Sequence, residues 1–209
     1  LLSNDSDVDG NTLTITKISV DGNTYNAGVT ANLTEGTLVV NSDGSYTFTP
    51  ATNFNGNVPQ VTYTVSDGTT TVTSTLDITV NPVNDAPVAN PDINSTNEDV
   101  TLTVSALNGV LSNDTDVDTG ATLNVTTFVI SGVAGTNTAG STITIPAVGT
   151  IKLNSDGSYV FTSANNFNGN VPQITYTVSD GSLTASSTWN ITVIPVNDAP
   201  TTIADSGTT

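Results

Sequence analysis

The chain has 209 residues, with nineteen Asp and Glu against two Lys, a formal charge of -17, and no Cys, His, Met or Arg. Missing Cys excludes disulfides and thiolate metal sites, and missing His removes the usual general base and zinc ligand, so most catalytic constellations cannot be assembled. The charge repels nucleic-acid phosphates and anionic lipid, and it strains a compact fold unless cations neutralise it, with calcium the simplest candidate. No apolar run is long enough to span a bilayer.

The first motif, NDSDVDG at residues 4–10, sets Asp5, Asp7 and Asp9 at alternate positions ahead of Gly10. It matches the first half of an EF-hand loop, but the twelfth position, where a bidentate Glu belongs, is Thr16. The flanking TLTIT alternates with period two, as a half-buried strand does, which excludes the EF-hand. Further strands are predicted over TLTITKISV, GTLVV, SYTFTP, QVTYTVS and TVTSTLDITV, each rich in Val, Ile, Thr or Tyr and bounded by Asn, Asp or Gly. Between GTLVV and SYTFTP, NSDGS predicts a type I′ hairpin with Asp43-Gly44 supplying positive φ, which makes Asp43 and its later counterpart Asp156 turn residues rather than ligands. NFNG at 53–56 and again at 166–169 reads as a turn anchored by Phe54 or Phe167. The segment NPVNDAPVANPD follows, and its prolines predict a stiff joint rather than a loose tether. Beyond it come a strand, DVTLTV, and then LSNDTDVDTG, a second version of the opening motif.

The chain is a repeat. NSDGSYTFTPATNFNGNVPQVTYTVSDG starts at Asn41 and returns at Asn154 as NSDGSYVFTSANNFNGNVPQITYTVSDG, an offset of 113 that also carries VNDAP from Val83 to Val196. The aspartate motif returns at an offset of 109, so the second copy gains four residues, one at Thr119 or Gly120 and three around AGTNTAGS, both polar loop positions. A unit of this length suits a whole domain, and its short alternating runs predict an all-β antiparallel sandwich. Alternation assigns Val61, Tyr63, Val65, Leu76, Ile78 and Val80 to one core, and Ile174, Tyr176, Val178, Trp189, Ile191 and Val193 to the other. The expected organisation is a first repeat over 1–82, a linker over 83–87, a second repeat over 88–199 and the start of a third over 200–209. Residues 88–110 have no counterpart before Leu1, so the expectation is either a window from a longer array or a subunit that takes strands from a neighbour.

YTVSDG, a final strand, VNDAP and NEDVTLTVSALNGVLSNDTDVDTGATL together resemble the tandem bacterial Ig-like and cadherin-like repeats of large surface adhesins and biofilm proteins. The resemblance implies tandem Ig-like sandwiches joined by a short rigid linker, in an extracellular, secreted or cell-surface setting. Cadherin-type arrays carry an Asn-Asp linker, an Asp-x-Asp loop and an Asp before the last strand. Here, these fall on Asn84 and Asp85, on Asp116 and Asp118, and on Asp180. The resemblance places all five at one end of the second repeat, as a Ca²⁺ site of hard oxygen ligands, with Asp114 and Asp92 as outer members. Asp5, Asp7, Asp9 and Asp67 would form the matching half-site of the first repeat, and Asn197 and Asp198, with Glu98, a half-site at the other end of the second. NFNG departs from the family's acidic motif, which leaves the number of ions per joint open.

The leading functional reading is a calcium-stiffened, non-enzymatic extender repeat of a long adhesin or matrix protein, whose partners are neighbouring repeats or subunits. The alternative is a segment of an extracellular filament assembled by strand exchange between neighbouring chains, against which the tail from Pro200 repeats PVANPDINST but not DVTLTV. A carbohydrate-binding module lacks exposed aromatics once Trp189, Phe54 and Phe167 are assigned to cores. No Glu pair suits a glycosidase, and Lys17 and Lys152 occupy non-equivalent positions, which argues against a repeated isopeptide crosslink.

Overall fold

The structure, a computed structural model, describes residues 1–200. The expected start of a third repeat, apart from Pro200, lies outside the described residues. Two compact units divide between Val83 and Asn84. Unit 1 contains β1 (Thr14–Val20), β2 (Asn23–Asn26), β3 (Ala31–Leu33), β4 (Gly36–Val40), β5 (Tyr46–Pro50), β6 (Gly56–Asn57), β7 (Val61–Ser66), β8 (Thr71–Leu76) and β9 (Thr79–Val80). Its sheets run β2-β1-β7-β8 and β3-β4-β5, with the short pair β6-β9. The alternation seen in the sequence appears directly as burial: on β1, Ile15, Ile18 and Val20 face inward, and on β7 Val61, Tyr63 and Val65 do. With Ala31, Leu38 and Val40 they form the unit's core.

Unit 2 contains β10 (Asp92–Asn97), β11 (Leu102–Val104), β12 (Asn124–Ile130), β13 (Asn137–Thr138), β14 (Thr142–Ile145), β15 (Gly149–Leu153), β16 (Tyr159–Ser163), β17 (Gly169–Asn170), β18 (Ile174–Ser179) and β19 (Thr184–Ile194). One sheet runs β10-β19-β18-β12-β13, with β17 also on β19, and the other runs β11-β16-β15-β14. Between the sheets lies a larger core, centred on Trp189, Tyr176, Phe128 and Phe161. The three-residue insertion around AGTNTAGS falls at β13, the edge of its sheet, where it shortens one ladder, leaving Thr127 and Phe128 paired with Thr138 and Asn137, and leaves the other strands of the sheet paired. The bulge between Ile15 and Lys17 recurs between Val125 and Thr127, so the repeat preserves its irregularities as well as its strands.

Three expectations are corrected. The NSDGS hairpins are not type I′, because positive φ occurs at Gly44 (84°) and Gly157 (81°) but not at Asp43 or Asp156. Gly44 N–H donates to Asn41 O at 3.0 Å and Asn41 N–H to Ser45 O at 2.8 Å, a type I turn followed by a left-handed glycine. The aspartate keeps ordinary backbone geometry because its Oδ1 accepts both the N–H (2.9 Å) and the hydroxyl (2.7 Å) of Ser45, and Asp156 does the same with Ser158. Second, within the expected all-β sandwich of antiparallel sheets one pairing is parallel: β10 lies along β19, from Asp92 opposite Trp189 to Asn97 opposite Ile194. Third, Leu76, Ile78 and Val80 are only half-buried, whereas their counterparts Trp189, Ile191 and Val193 are buried. Alternation reports which face a side chain uses; it does not report whether a neighbouring strand covers that face.

Candidate metal centre

The upper end of unit 2 is built by three segments. The chain enters at Asn84 and runs to Asn90, fastened by a bridge in which Val88 N–H donates to Thr115 O at 2.7 Å and Thr115 N–H to Val88 O at 3.0 Å. Pro87 is buried beneath this segment and Ala89 packs on the core. The loop from Asp114 to Asp118 and the β18–β19 turn at Asp180 complete the end.

The predicted residues meet through hydrogen bonds. Asn84 Nδ2 donates to Asp180 Oδ2 at 2.8 Å, across 96 positions of sequence, and Asp85 N–H donates to Asp118 Oδ2 at 2.8 Å. Asp118 N–H in turn donates to Asp116 Oδ1 at 2.8 Å. The N–H groups of Ser182 (2.6 Å) and Leu183 (2.7 Å) also donate to Asp180 Oδ1. The Ser182 N–H first, with the Asn84 amide and the Leu183 N–H, holds the Asp180 carboxyl below the usual carboxylate range. Asp116 differs from the others: its Oδ2 is buried and has no hydrogen-bond partner. A buried carboxylate oxygen left without a donor is costly, and in a site with no nearby Lys a cation is the natural complement. Five oxygen-bearing side chains, four of them carboxylates, suit the hard, flexible coordination of calcium. Among the described residues, however, no three carboxylates converge closely enough to chelate an ion directly; backbone N–H groups hold them apart.

Asp92 and Asp114 are drawn into a different cluster. The Tyr176 hydroxyl lies 2.7 Å from Asp92 Oδ2, 2.8 Å from Asn90 O, 3.1 Å from Val110 O and 3.5 Å from Asp114 Oδ2. Burial pushes the Asp92 carboxyl up to about 6, against the lowering effect of the Tyr176 hydroxyl and with a further push from Asp114. Burial also raises Asp114, against the Asn90 N–H donating to its Oδ1 at 2.7 Å. Alternation places Tyr176 in the core and gives Asn90 no role; the sequence signal for their part at this end is an Asp two residues past Asn90, on a strand whose inner face is otherwise polar.

The half-site of unit 1 is looser. Asp7 Oδ1 accepts the N–H groups of Asp9 (2.8 Å) and Asn11 (3.1 Å), and Asp67 is tied to the N–H groups of Thr69 and Thr70, both at 2.6 Å. The Thr70 and Thr69 N–H groups and the Thr70 hydroxyl hold the Asp67 carboxyl low. Asp5 carries a buried, unpartnered Oδ2. Asp5, Asp7 and Asp67 share the lining of an open recess of about 320 Å³, while Asp9 is exposed and stands outside it. At the far end of unit 2, Glu98 is only 5 % exposed. It accepts hydrogen bonds from Val196 N–H and, at 3.2 Å, from Asn168 Nδ2 of the NFNG turn. Asn197 and Asp198 are exposed beyond it, and Asn197 Nδ2 donates to Asp198 O at 3.1 Å.

The profile of the bacterial cadherin-like domain matches residues 84–195, more than half of the chain, and that of the cadherin-like domain matches residues 1–81. The chain belongs to the bacterial cadherin-like domain family. Among solved structures, this cadherin-like chain is similar to human protocadherin-24 EC1-2 in crystal form II, at 21 % identity and a TM-score of 0.54, over 93 % of this chain and 86 % of that one. A second protocadherin-24 EC1-2 structure gives 18 % identity and a TM-score of 0.52 over 92 % and 86 %. At such identities, the likeness shows the fold alone. An endo-fucoidan hydrolase of glycoside hydrolase family 107 shares 20 % identity at a TM-score of 0.32, and the chain spans 24 % of that enzyme's length. No curated protein matches the cadherin-like chain. No helix among the described residues is long and apolar enough to cross a membrane.

Proposed function

We propose that this chain is a non-catalytic, extracellular, adhesion-type spacer, secreted or surface-borne, whose entry segment is stiffened by Ca²⁺ in a long adhesin or matrix protein. Its partners are neighbouring cadherin-like repeats. The observation that carries the reading is the unpartnered, buried Oδ2 of Asp116 within the group Asn84, Asp85, Asp118 and Asp180. When bound, calcium supplies positive charge that offsets the mutual repulsion of these carboxylates. The chain's own groups do the positioning. Asp118 holds the Asp85 backbone, Asp180 holds the Asn84 amide, and the Val88–Thr115 bridge fixes the segment on the unit before any ion arrives.

The test is urea unfolding of the full chain followed by Trp189 fluorescence, which reports unit 2 alone because Trp189 is the single tryptophan. Calcium at about one hundred times its dissociation constant stabilises by about 2.7 kcal/mol relative to chelator. Asp116→Asn removes most of that gain. Extracellular calcium modules bind at about 10⁻⁴ to 10⁻³ M, so an unchanged midpoint at about 10 mM calcium would sink the reading.

A further inference from the structure

Unit 2 begins and ends on neighbouring strands. Its first strand, β10, lies parallel to its last, β19, in consecutive pairs from Asp92 opposite Trp189 to Asn97 opposite Ile194. The parallel sense decides what tension does to them. Chain entering from Asn84 meets β10 at its Asp92 end, and chain leaving through Val196 departs from β19 at its Ile194 end, so the two points of load lie at opposite ends of one ladder. Drawing them apart slides β10 along β19 and strains every rung between them together. In an antiparallel pair, entry and exit would share one end, and the rungs would open singly.

Two further features resist sliding. Past the last pair, Glu98 N–H donates to Ile194 O at 2.9 Å, and the buried Glu98 carboxylate accepts from Val196 N–H. The point at which load leaves β19 is thus tied twice more to the chain of β10. The second feature is the inner face of β10, which is polar: Asp92, Asn94 and Thr96 alternate toward the interior, while Ile93 is 82 % exposed. Two of these side chains bond core hydroxyls, Asp92 Oδ2 that of Tyr176 at 2.7 Å and Asn94 Nδ2 that of Tyr159 at 2.6 Å, and Tyr159 packs on Trp189 of β19. Hydrogen bonds weaken steeply with misalignment, whereas apolar contact is non-directional and tolerates a slip. A polar inner face therefore holds register under load, where an apolar one would hold only proximity.

We propose that β10 and β19 form a shear clamp that makes unit 2 a tension-bearing element. Its use as a carrier of load rests on the spacer reading above. The clamp itself is built from protein groups alone, so its strength is measured with chelator present and does not depend on a cation.

The experiment pulls single molecules of the full chain in chelator through cysteine handles, which are unambiguous because the chain has no Cys of its own. Handles at Val83→Cys and Val196→Cys, both exposed positions, load unit 2 from entry to exit. Handles at Val100→Cys, also exposed, and Val196→Cys follow the Asn97 and Ile194 ends of the two strands, so they draw the ladder open from one end. Expected at one pulling speed is a rupture force about threefold higher for entry-to-exit loading than for loading at the shared end, since forced unfolding follows the barrier to unfolding. Equal forces overturn the clamp. So does an early lengthening of about 70 Å in the entry-to-exit pull, the reach of residues 84–104, which is β10 and β11 leaving ahead of the rest of the unit. Both pulls are made without calcium, so failure here leaves the calcium reading to its own urea test.

Discussion

Units 1 and 2 share one repeat, yet Tyr46 on β5 is 46 % exposed where its counterpart Tyr159 on β16 is 3 % exposed and packed on Trp189 with ring centroids 4.1 Å apart. Phe48 and Phe161 differ in the same direction, as do Ile78 and Ile191. Strand sequence is nearly constant between the copies apart from Leu76 in place of Trp189, so the difference comes from that substitution and from covering strands. The comparison separates two contributions to burial that a single domain mixes: the inward face set by alternation, present in both units, and the lateral seal set by β10 and β11, described only in unit 2. Substituting one equivalent position in each unit therefore measures the seal.

The largest effect is expected at Ile191. Ile191→Ala removes a side chain that is 1 % exposed and costs about 2–5 kcal/mol in unit 2, read by circular dichroism in urea, whereas Ile78→Ala, the same substitution at a half-buried position, costs about 1 kcal/mol in unit 1. Equal costs would show that the seal contributes nothing. Gly36 and Gly149 provide the opposite control, because they are matched in both units. Their φ values are 149° and 148°, and an added Cβ would meet the carbonyl oxygens of Thr49 and Thr162. Alanine at either position is expected to cost about 2–3 kcal/mol, with the two unfolding midpoints shifting alike.

A smaller effect distinguishes the units by pH. Asp92, raised in the folded state to about 6, holds its proton more tightly there than in the unfolded chain, where a carboxyl titrates near its ordinary value of about 3.9. Its protonation favours folding at low pH, and that contribution is lost as pH rises through 6. Discounted for partial exposure, the loss is about 1 kcal/mol in chelator, in unit 2 and not in unit 1, and Asp92→Asn abolishes it. Asp180 and Asp67 act in the other direction: their lowered carboxyls favour folding above about pH 4, and that contribution is lost on acidification in both units. A urea series at pH 4, 6 and 8 separates the two trends. The smallest effect is at Val72, 67 % exposed, where Val72→Thr shifts unit 1 by less than about 0.5 kcal/mol.

The strands were legible in the sequence because Val, Ile and Tyr recur with period two, and the repeat exposed the unit length. The hairpin type was not, because Asp-Gly fits two turn geometries, and the Asp43 side chain, accepting from Ser45, selects the one with a single positive φ. Leu76 and Ile78 occupy the face that alternation marks as inward yet are half-buried, because burial depends on a covering neighbour as well as on the face. Opposition of Asn84 to Asp180 and of Asp85 to Asp118 could be expected only through resemblance to cadherin-type arrays, since 96 and 33 positions separate the partners. Capture of Asp92 by Tyr176 was invisible because it depends on β10 docking parallel to β19, a tertiary event with no local signature.

Amide hydrogen exchange at Asp85 and Asn90, whose N–H groups donate to Asp118 and Asp114, is the most direct measurement of the calcium reading. Calcium is expected to slow both at least about tenfold relative to magnesium at the same ionic strength, while β8 amides stay unchanged and Asp116→Asn removes the effect. Equal exchange in calcium, magnesium and chelator would contradict a cation site at the upper end of unit 2.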